Sequence, residues 1–270
     1  MQNGDLSTPA LLAAMEANFA EEMASLARGL PGGELYGDAE LQIFYTGKAG
    51  FNGVTRASFA SDDPAYVNAR IAAILDYFRK RDVPLGWLVG PLARPTNLPD
   101  YLQAHGLIYR STDIAMALDI QSLRAAPPSV SGLTIREVAS TEDLRAWYTV
   151  NIEGFGYTEQ TGRVYYEAYA NLGCGAGRPW HHFIGWLGNR PVAIASLLLH
   201  AGVAGIYGIA TIPEARRRGI GSAITLHALH AARANGYGVA TLSPTAMGRN
   251  IYQRIGFQEV CKMQFYRWSP

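Results

Sequence analysis

At 270 residues and 49% hydrophobic content, the chain is long enough for two packed domains. Its formal net charge of +1 gives no ground for a nucleic-acid or membrane-surface partner, and neither is expected. The two cysteines, Cys174 and Cys261, lie far apart without metal-ligand spacing; reduced thiols, a cytoplasmic location and no metal are expected. The N-terminus lacks a basic region followed by an apolar core, and no apolar run is long enough to cross a bilayer.

Ser7, Thr8 and Pro9 make a helix start, and Leu11, Leu12, Met15, Phe19, Met23 and Leu26 follow at helical spacing until Gly29 and Pro31. Strand-like runs come next, Leu41 to Tyr45 and Val54 to Phe59, punctuated by Gly47, Gly50 and Gly53. Asp62-Asp63-Pro64 opens a helix to about Arg81. A strand at Leu85 to Gly90, a Pro-rich loop, a short helix at Leu98 to Ala104 and a strand at Leu107 to Leu118 complete this half. Ala125-Ala126-Pro127-Pro128-Ser129 is the clearest linker.

After it the chain restarts with a strand at Leu133 to Val138. Ser140 with Asp143 then starts a helix through Val150. Asn151 to Gly162, rich in Gly, Tyr, Phe and acids, reads as a loop, followed by a helix at Val164 to Leu172 and a Gly-rich turn. Strands at His182 to Leu187 and Pro191 to His200 lead to a third at Ile206 to Thr211. A helix from Gly219 to Ala234, a strand at Val239 to Ser243, a helix at Ala246 to Ile255 and a closing strand at Gln258 to Trp268 follow.

The stretch Ile209-Ala210-Thr211, then Arg216-Arg217-Arg218-Gly219-Ile220-Gly221-Ser222, is strand, basic turn and helix start. That combination suits an anion. The first N–H groups of a helix lack internal partners, the helix dipole adds partial positive charge, and glycines admit a phosphate to the backbone. The dinucleotide fingerprint is not matched, since Ile224 stands where its third glycine belongs. The ATPase phosphate loop is not matched either, for want of Gly-Lys-Ser/Thr. Some 30 residues on, Tyr252-Gln253-Arg254-Ile255-Gly256-Phe257 forms a helix end, with Gly256 suited to a left-handed cap and Phe257 to the core.

Arg-x-x-Gly-x-Gly at Arg216, Gly219 and Gly221, with Tyr-x-x-x-Gly-Phe after an intervening strand, resembles the GNAT superfamily of N-acetyltransferases over roughly residues 131–270. The N-terminal half resembles a degenerate copy. It has no such loop, and Asp62 and Asp63 stand at its helix start, where they would repel a pyrophosphate. The resemblance implies an α/β (α+β) fold of two tandem GNAT-like mixed-sheet domains flanked by helices, a degenerate one at 1–125 and an acyl-CoA-binding one at 131–270. It implies acetyl transfer from acetyl-CoA to an amine acceptor, with a small molecule preferred, and a homodimer is compatible with it. Ile209, Ala210 and Thr211 would meet pantetheine and the thioester, and Arg216 to Ser222 the pyrophosphate. Tyr252 would be the acid toward sulfur. Thr245 and Gly248 stand where the family often has Asn and Ala, a departure that bears on the usual contacts from that helix to CoA. For the base, Glu153, Glu159, His181, His182 and His200 are all candidates, with Glu153 put first. Phe155, Tyr157, Tyr165, Tyr166 and Trp180 are candidates for an acceptor pocket and equally for core. A non-catalytic acyl-CoA-binding protein and a different phosphate binder are the rival readings.

Overall fold

A computed structural model describes residues 6, 8–123, 128–175 and 177–270. Ala125, Ala126 and Pro127 of the expected linker lie outside the described residues; Pro128 and Ser129 have no regular structure. The chain forms two compact units. One takes in Ala115–Val260, the other Ser7–Ile114 and Cys261–Pro270.

The first elements are α1 (Pro9–Gly29), β1 (Glu34–Gly37), β2 (Gln42–Tyr45), β3 (Gly53–Thr55), α2 (Pro64–Arg79), β4 (Leu85–Val89), α3 (Leu98–Ala104) and β5 (Ile108–Asp119). Helix starts follow local chemistry. Thr8 caps α1 by accepting from Leu11 N, and Asp63 caps α2 by accepting from Tyr66 N, each with proline in the first turn. The strand expected over Val54 to Phe59 stops at Thr55, because Arg56 turns into the left-handed region (φ 58°). β3 and β4 run parallel through Gly53↔Gly86 and Val54↔Trp87. Past the turn, backbone bonds from Phe59 N to Arg94 O (3.1 Å) and from Arg94 N to Ala57 O (3.3 Å) continue to hold the two segments together. Trp87, Phe78, Ile71 and Leu102 fill the core of this unit.

The remaining elements are β6 (Leu133–Glu137), α4 (Thr141–Phe155), α5 (Glu159–Leu172), β7 (Trp180–Leu187), β8 (Arg190–His200), β9 (Val203–Thr211), α6 (Ile220–Ala234), β10 (Val239–Leu242), α7 (Arg249–Ile255) and β11 (Gln258–Trp268). Several boundaries differ from the sequence reading: β7 and β9 start earlier, at Trp180 and Val203, and two helical boundaries move. The expected loop at Asn151 to Gly162 is mostly helix: α4 runs to Phe155, Gly156 caps it at φ 68°, and Thr158 starts α5 by accepting from Thr161 N. A short Schellman-type cap and an N-cap in succession look like loop composition. Ala246 to Gly248 is turn, so α7 begins only at Arg249.

Each unit borrows a strand from the other half of the sequence. The end of β5, Met116 to Asp119, pairs antiparallel with β10, giving the order β5-β10-β9-β8-β7-β6. The end of β11, Gln264 to Trp268, pairs antiparallel with β4, giving β1-β2-β3-β4-β11. With mixed sheets flanked by helices, the fold is α/β, as expected.

The core of the Ala115–Val260 unit contains a buried polar ring among aromatics. His182 is 2% exposed, and its Nδ1 lies 2.8 Å from Ser196 Oγ. Burial, reinforced by nearby His181, pushes its pKa down to about 3, so the ring is neutral.

Two expectations follow from packing and charge. A Cβ at Gly53 would meet Gly86 O at 2.3 Å, whereas one at Gly86 would find its nearest contact at 3.7 Å. Gly53→Ala is therefore expected to cost about 1–3 kcal/mol in denaturant unfolding, and Gly86→Ala much less. For His182, an unfolded histidine titrates near about 6.5. Between that pH and the folded value, the unfolded chain binds the extra proton, so the stability His182 contributes is present above pH 6.5 or so and is lost as pH falls toward 3. The unfolding free-energy difference between wild type and His182→Leu should shrink from pH 7.5 to pH 4.5; a constant difference would contradict a neutral buried ring.

Candidate acyl-transfer site

The candidate site begins with a break in pairing. The parallel ladder between β9 and β10 runs over Ala240↔Ala204 and Thr241↔Gly205, while β9 continues to Thr211. On its other edge β9 pairs with β8 through Ser196↔Tyr207 and then Ile194↔Ala210, so Gly208 and Ile209 oppose a single residue. This is a β-bulge, and Gly208 takes the left-handed backbone it needs (φ 56°). The bulge bends β9 beyond the point where its ladder with β10 ends. Ile209, Ala210 and Thr211 lie on that bent segment.

The turn after β9 is held by Arg216. Its Nε donates to Thr211 O (3.0 Å) and an Nη donates to Gly154 O (2.8 Å). The guanidinium thus fastens the end of β9 and the end of α4 to the turn, instead of pointing freely at solvent. Gly154 is a residue that sequence reasoning missed. A Cβ there would meet the Ala210 Cβ at 2.7 Å, so only glycine lets α4 lie so close to β9. The signal was a lone glycine near a helix end, which many ordinary caps also give.

Arg217 adopts φ 61° and Gly219 φ 82°, and both are exposed with Arg218. A non-glycine residue held there costs about 1–3 kcal/mol, and such strain gathers at ligand clamps. Gly219 is the N-cap of α6, and its carbonyl accepts the first intrahelical bond, from Ala223 N (3.0 Å). The N–H groups of Ile220, Gly221 and Ser222 are first-turn donors with no carbonyl before them in the helix. Gly221 has ordinary helical placement, and a Cβ there would meet only Thr211 Oγ1, at 3.7 Å. Protein packing therefore does not require glycine at this position. The same distance brings the end of β9 beside the start of α6.

Tyr252 stands on α7, which packs beside α6. The residue is 8% exposed, and its ring folds over Gly248, where a Cβ would meet it at 2.8 Å. Burial pushes its hydroxyl up to about 12, so it is protonated across the physiological range. Gly256 ends α7 at φ 116°, donating to Tyr252 O and Gln253 O, and Phe257 is buried, as the sequence implied. Thr245 caps the preceding turn through Gly248 N, so the departures from the family pattern serve local structure.

Glu153 lies on the exposed side of α4, with Arg190 at 4.0 Å from its carboxylate; Glu214 lies 3.6 Å from the same arginine. His181 pairs with Glu137 (2.7 Å), and His182 is the buried neutral ring described above. Among the described residues no group of His, Cys, Asp and Glu is disposed to hold a metal ion, and no helix is long and apolar enough to cross a membrane.

Residues 142–257 match the model of the acetyltransferase (GNAT) family. No curated protein sequence matches the chain. Among solved structures, the chain resembles a GCN5-related N-acetyltransferase from Kribbella flavida, at 21% identity and a TM-score of 0.71 over 95% of this chain and 96% of that one. It resembles a tandem GNAT protein of the clavulanic acid biosynthesis pathway at 16% identity and a TM-score of 0.65, covering 99% of this chain and 96% of that one. A GCN5-related N-acetyltransferase from Sphaerobacter thermophilus matches at 15% identity and a TM-score of 0.64, covering 97% and 92%. Motif, strand break, helix start and family model coincide in one unit: residues 142–257 match the GNAT acetyltransferase family, within a fold shared with a tandem GNAT protein.

Proposed function

We propose that this protein transfers an acetyl group from acetyl-CoA to the primary amine of a small molecule by direct attack, and that acyl-CoA binds only in the 131–270 half. The observation that carries this reading is the start of α6. Gly221 is a glycine that the protein's own packing does not need, in a helix, where glycine is a poorer former than alanine. It stands in a first turn with free N–H groups, beside the bent end of β9. A pyrophosphate approaching the backbone would account for it. Arg217 and Arg218, both exposed, add charge for the phosphates, while Arg216 shapes the turn. In the other unit the matching gap between β3 and β4 is closed by the bonds between Ala57, Phe59 and Arg94, and Asp63 occupies the helix start.

In the reaction, the amine nitrogen forms a bond to the thioester carbon and the carbon–sulfur bond breaks. The backbone of Ile209 to Thr211 would face the carbonyl oxygen as negative charge develops on it. Tyr252 would donate a hydrogen bond to the leaving sulfur. With its hydroxyl near 12, it holds its proton more tightly than a thiol, which titrates near about 8.5. It therefore stabilises the thiolate as a donor without giving the proton up, and the amine's proton leaves through water. We assign no proton transfer to Glu153, whose carboxylate is engaged with Arg190 at the surface.

Two measurements test this reading. Acetyl-CoA at about 100 times its Kd should stabilise the protein by roughly 2.7 kcal/mol. Gly221→Ala should keep or raise the melting temperature of the free protein while weakening that shift, and Gly221→Glu should abolish it. A shift unchanged in both variants would remove the pyrophosphate from this loop. Tyr252→Phe should leave acetyl-CoA binding intact and lower kcat by about 10²-fold. Intact binding with no amine acetylated by the wild type would favour a non-catalytic acyl-CoA binder.

A further inference from the structure

Trp147, Asn151 and Phe155 recur every four residues along α4 and so share one face. At one end of this face, the Trp147 ring meets Tyr169 edge-on at 5.5 Å. At the other, Phe155 stacks on Tyr157 (5.0 Å, 16°), and Tyr157 stacks on Tyr165 (6.3 Å, 10°). Tyr165 leads back to Tyr169 at 6.3 Å, and Tyr169 continues through Trp180 (5.2 Å) to Tyr207 on β9 (5.8 Å). The aromatic wall thus reaches β9 twice: at Tyr207, and beside Phe155, where Gly154 lies against Ala210. Phe155, Tyr165 and Tyr207 are half-buried and Tyr157 is 36% exposed, so the wall has an accessible side.

Asn151 sits in the middle of it. The residue is 2% exposed, yet its Oδ1 has no hydrogen-bond partner among the described residues. An unpaired buried amide oxygen costs about 1–3 kcal/mol, and a donor brought by a bound ligand would relieve that cost. None of the residues forming the wall is acidic.

We propose that the acceptor is an arylalkyl monoamine, with its ring against Phe155, Tyr157 and Tyr165 and its amine N–H donated to Asn151 Oδ1. This rests on the acetyl-transfer reading and gives it a substrate class. An amide oxygen receives an N–H without the negative charge that would hold the nitrogen as ammonium, so the amine keeps the lone pair that attacks. Nitrogen gains the acetyl carbon, sulfur leaves as thiolate hydrogen-bonded to Tyr252, and one proton passes from nitrogen to water. A polyamine would bring a second ammonium that no carboxylate of the wall neutralises.

The test compares phenethylamine, spermidine and a glycyl peptide as acceptors at saturating acetyl-CoA, and titrates phenethylamine calorimetrically into protein with and without CoA. Phenethylamine should exceed both others in kcat/KM by at least about tenfold. Asn151→Leu should keep or raise the melting temperature and keep the acetyl-CoA shift, while kcat/KM for phenethylamine falls about tenfold or more. Tyr157→Ala should raise KM severalfold with little change in kcat. Spermidine or peptide used as well as phenethylamine would overturn the proposal. So would Asn151→Leu lowering the melting temperature without loss of kcat/KM, the mark of a structural amide. An intact acetyl-CoA shift with no calorimetric binding of phenethylamine would sink the substrate class alone. A missing acetyl-CoA shift would sink the acetyl-transfer reading, and the calorimetry would still judge the wall.

Discussion

One guanidinium holds the geometry of the site together. Arg216 reaches two backbone carbonyls, of Thr211 and Gly154, that belong to a strand end and a helix end far apart in sequence. Both carbonyls would otherwise need partners where regular pairing has stopped, and a charged planar fork supplies them at fixed angles. The position of the turn, and with it the direction in which α6 presents its first N–H groups, follows from this contact. The close approach of α4 that makes it reachable depends in turn on Gly154 having no side chain. Lysine at 216 would keep the charge and lose the simultaneous reach.

The bulge at Gly208 has the complementary part. A straight β9 would extend its ladder with β10; the extra residue redirects the strand after Gly205. The other unit answers the same topological problem differently. There Arg56 turns the chain out of β3, and the backbone of Ala57 and Phe59 closes onto Arg94. Similar element orders thus end in one open strand edge and one sealed one. The difference lies in a few backbone bonds, with no gain or loss of whole elements.

Much of this was legible in the sequence. Arg216, Gly219 and Gly221 are spaced by the turn they make, and Gly256 and Phe257 by the helix end they close, so local chemistry announces both motifs. Helix periodicity gave α1, α2 and α6 almost to the residue. What was hidden is tertiary. Arg216 reads as a phosphate ligand in sequence, and its carbonyl partners, above all Gly154, leave no signal there because only packing sets them. Asn151 to Gly162 reads as a loop because Gly156 and Thr158 are boundary residues of two helices with aromatics between them. Asn151 itself carries no sequence signal, since an unpaired oxygen is visible only once its surroundings are known.

The exchange of strands has a consequence for how the molecule is made. β4 needs β11 along one edge, and β11 is specified after every element of the other unit. During synthesis the N-terminal unit therefore waits with an open strand edge, the kind of surface that recruits stray partners. Its completion is deferred to β11, which emerges only after the elements of the other unit.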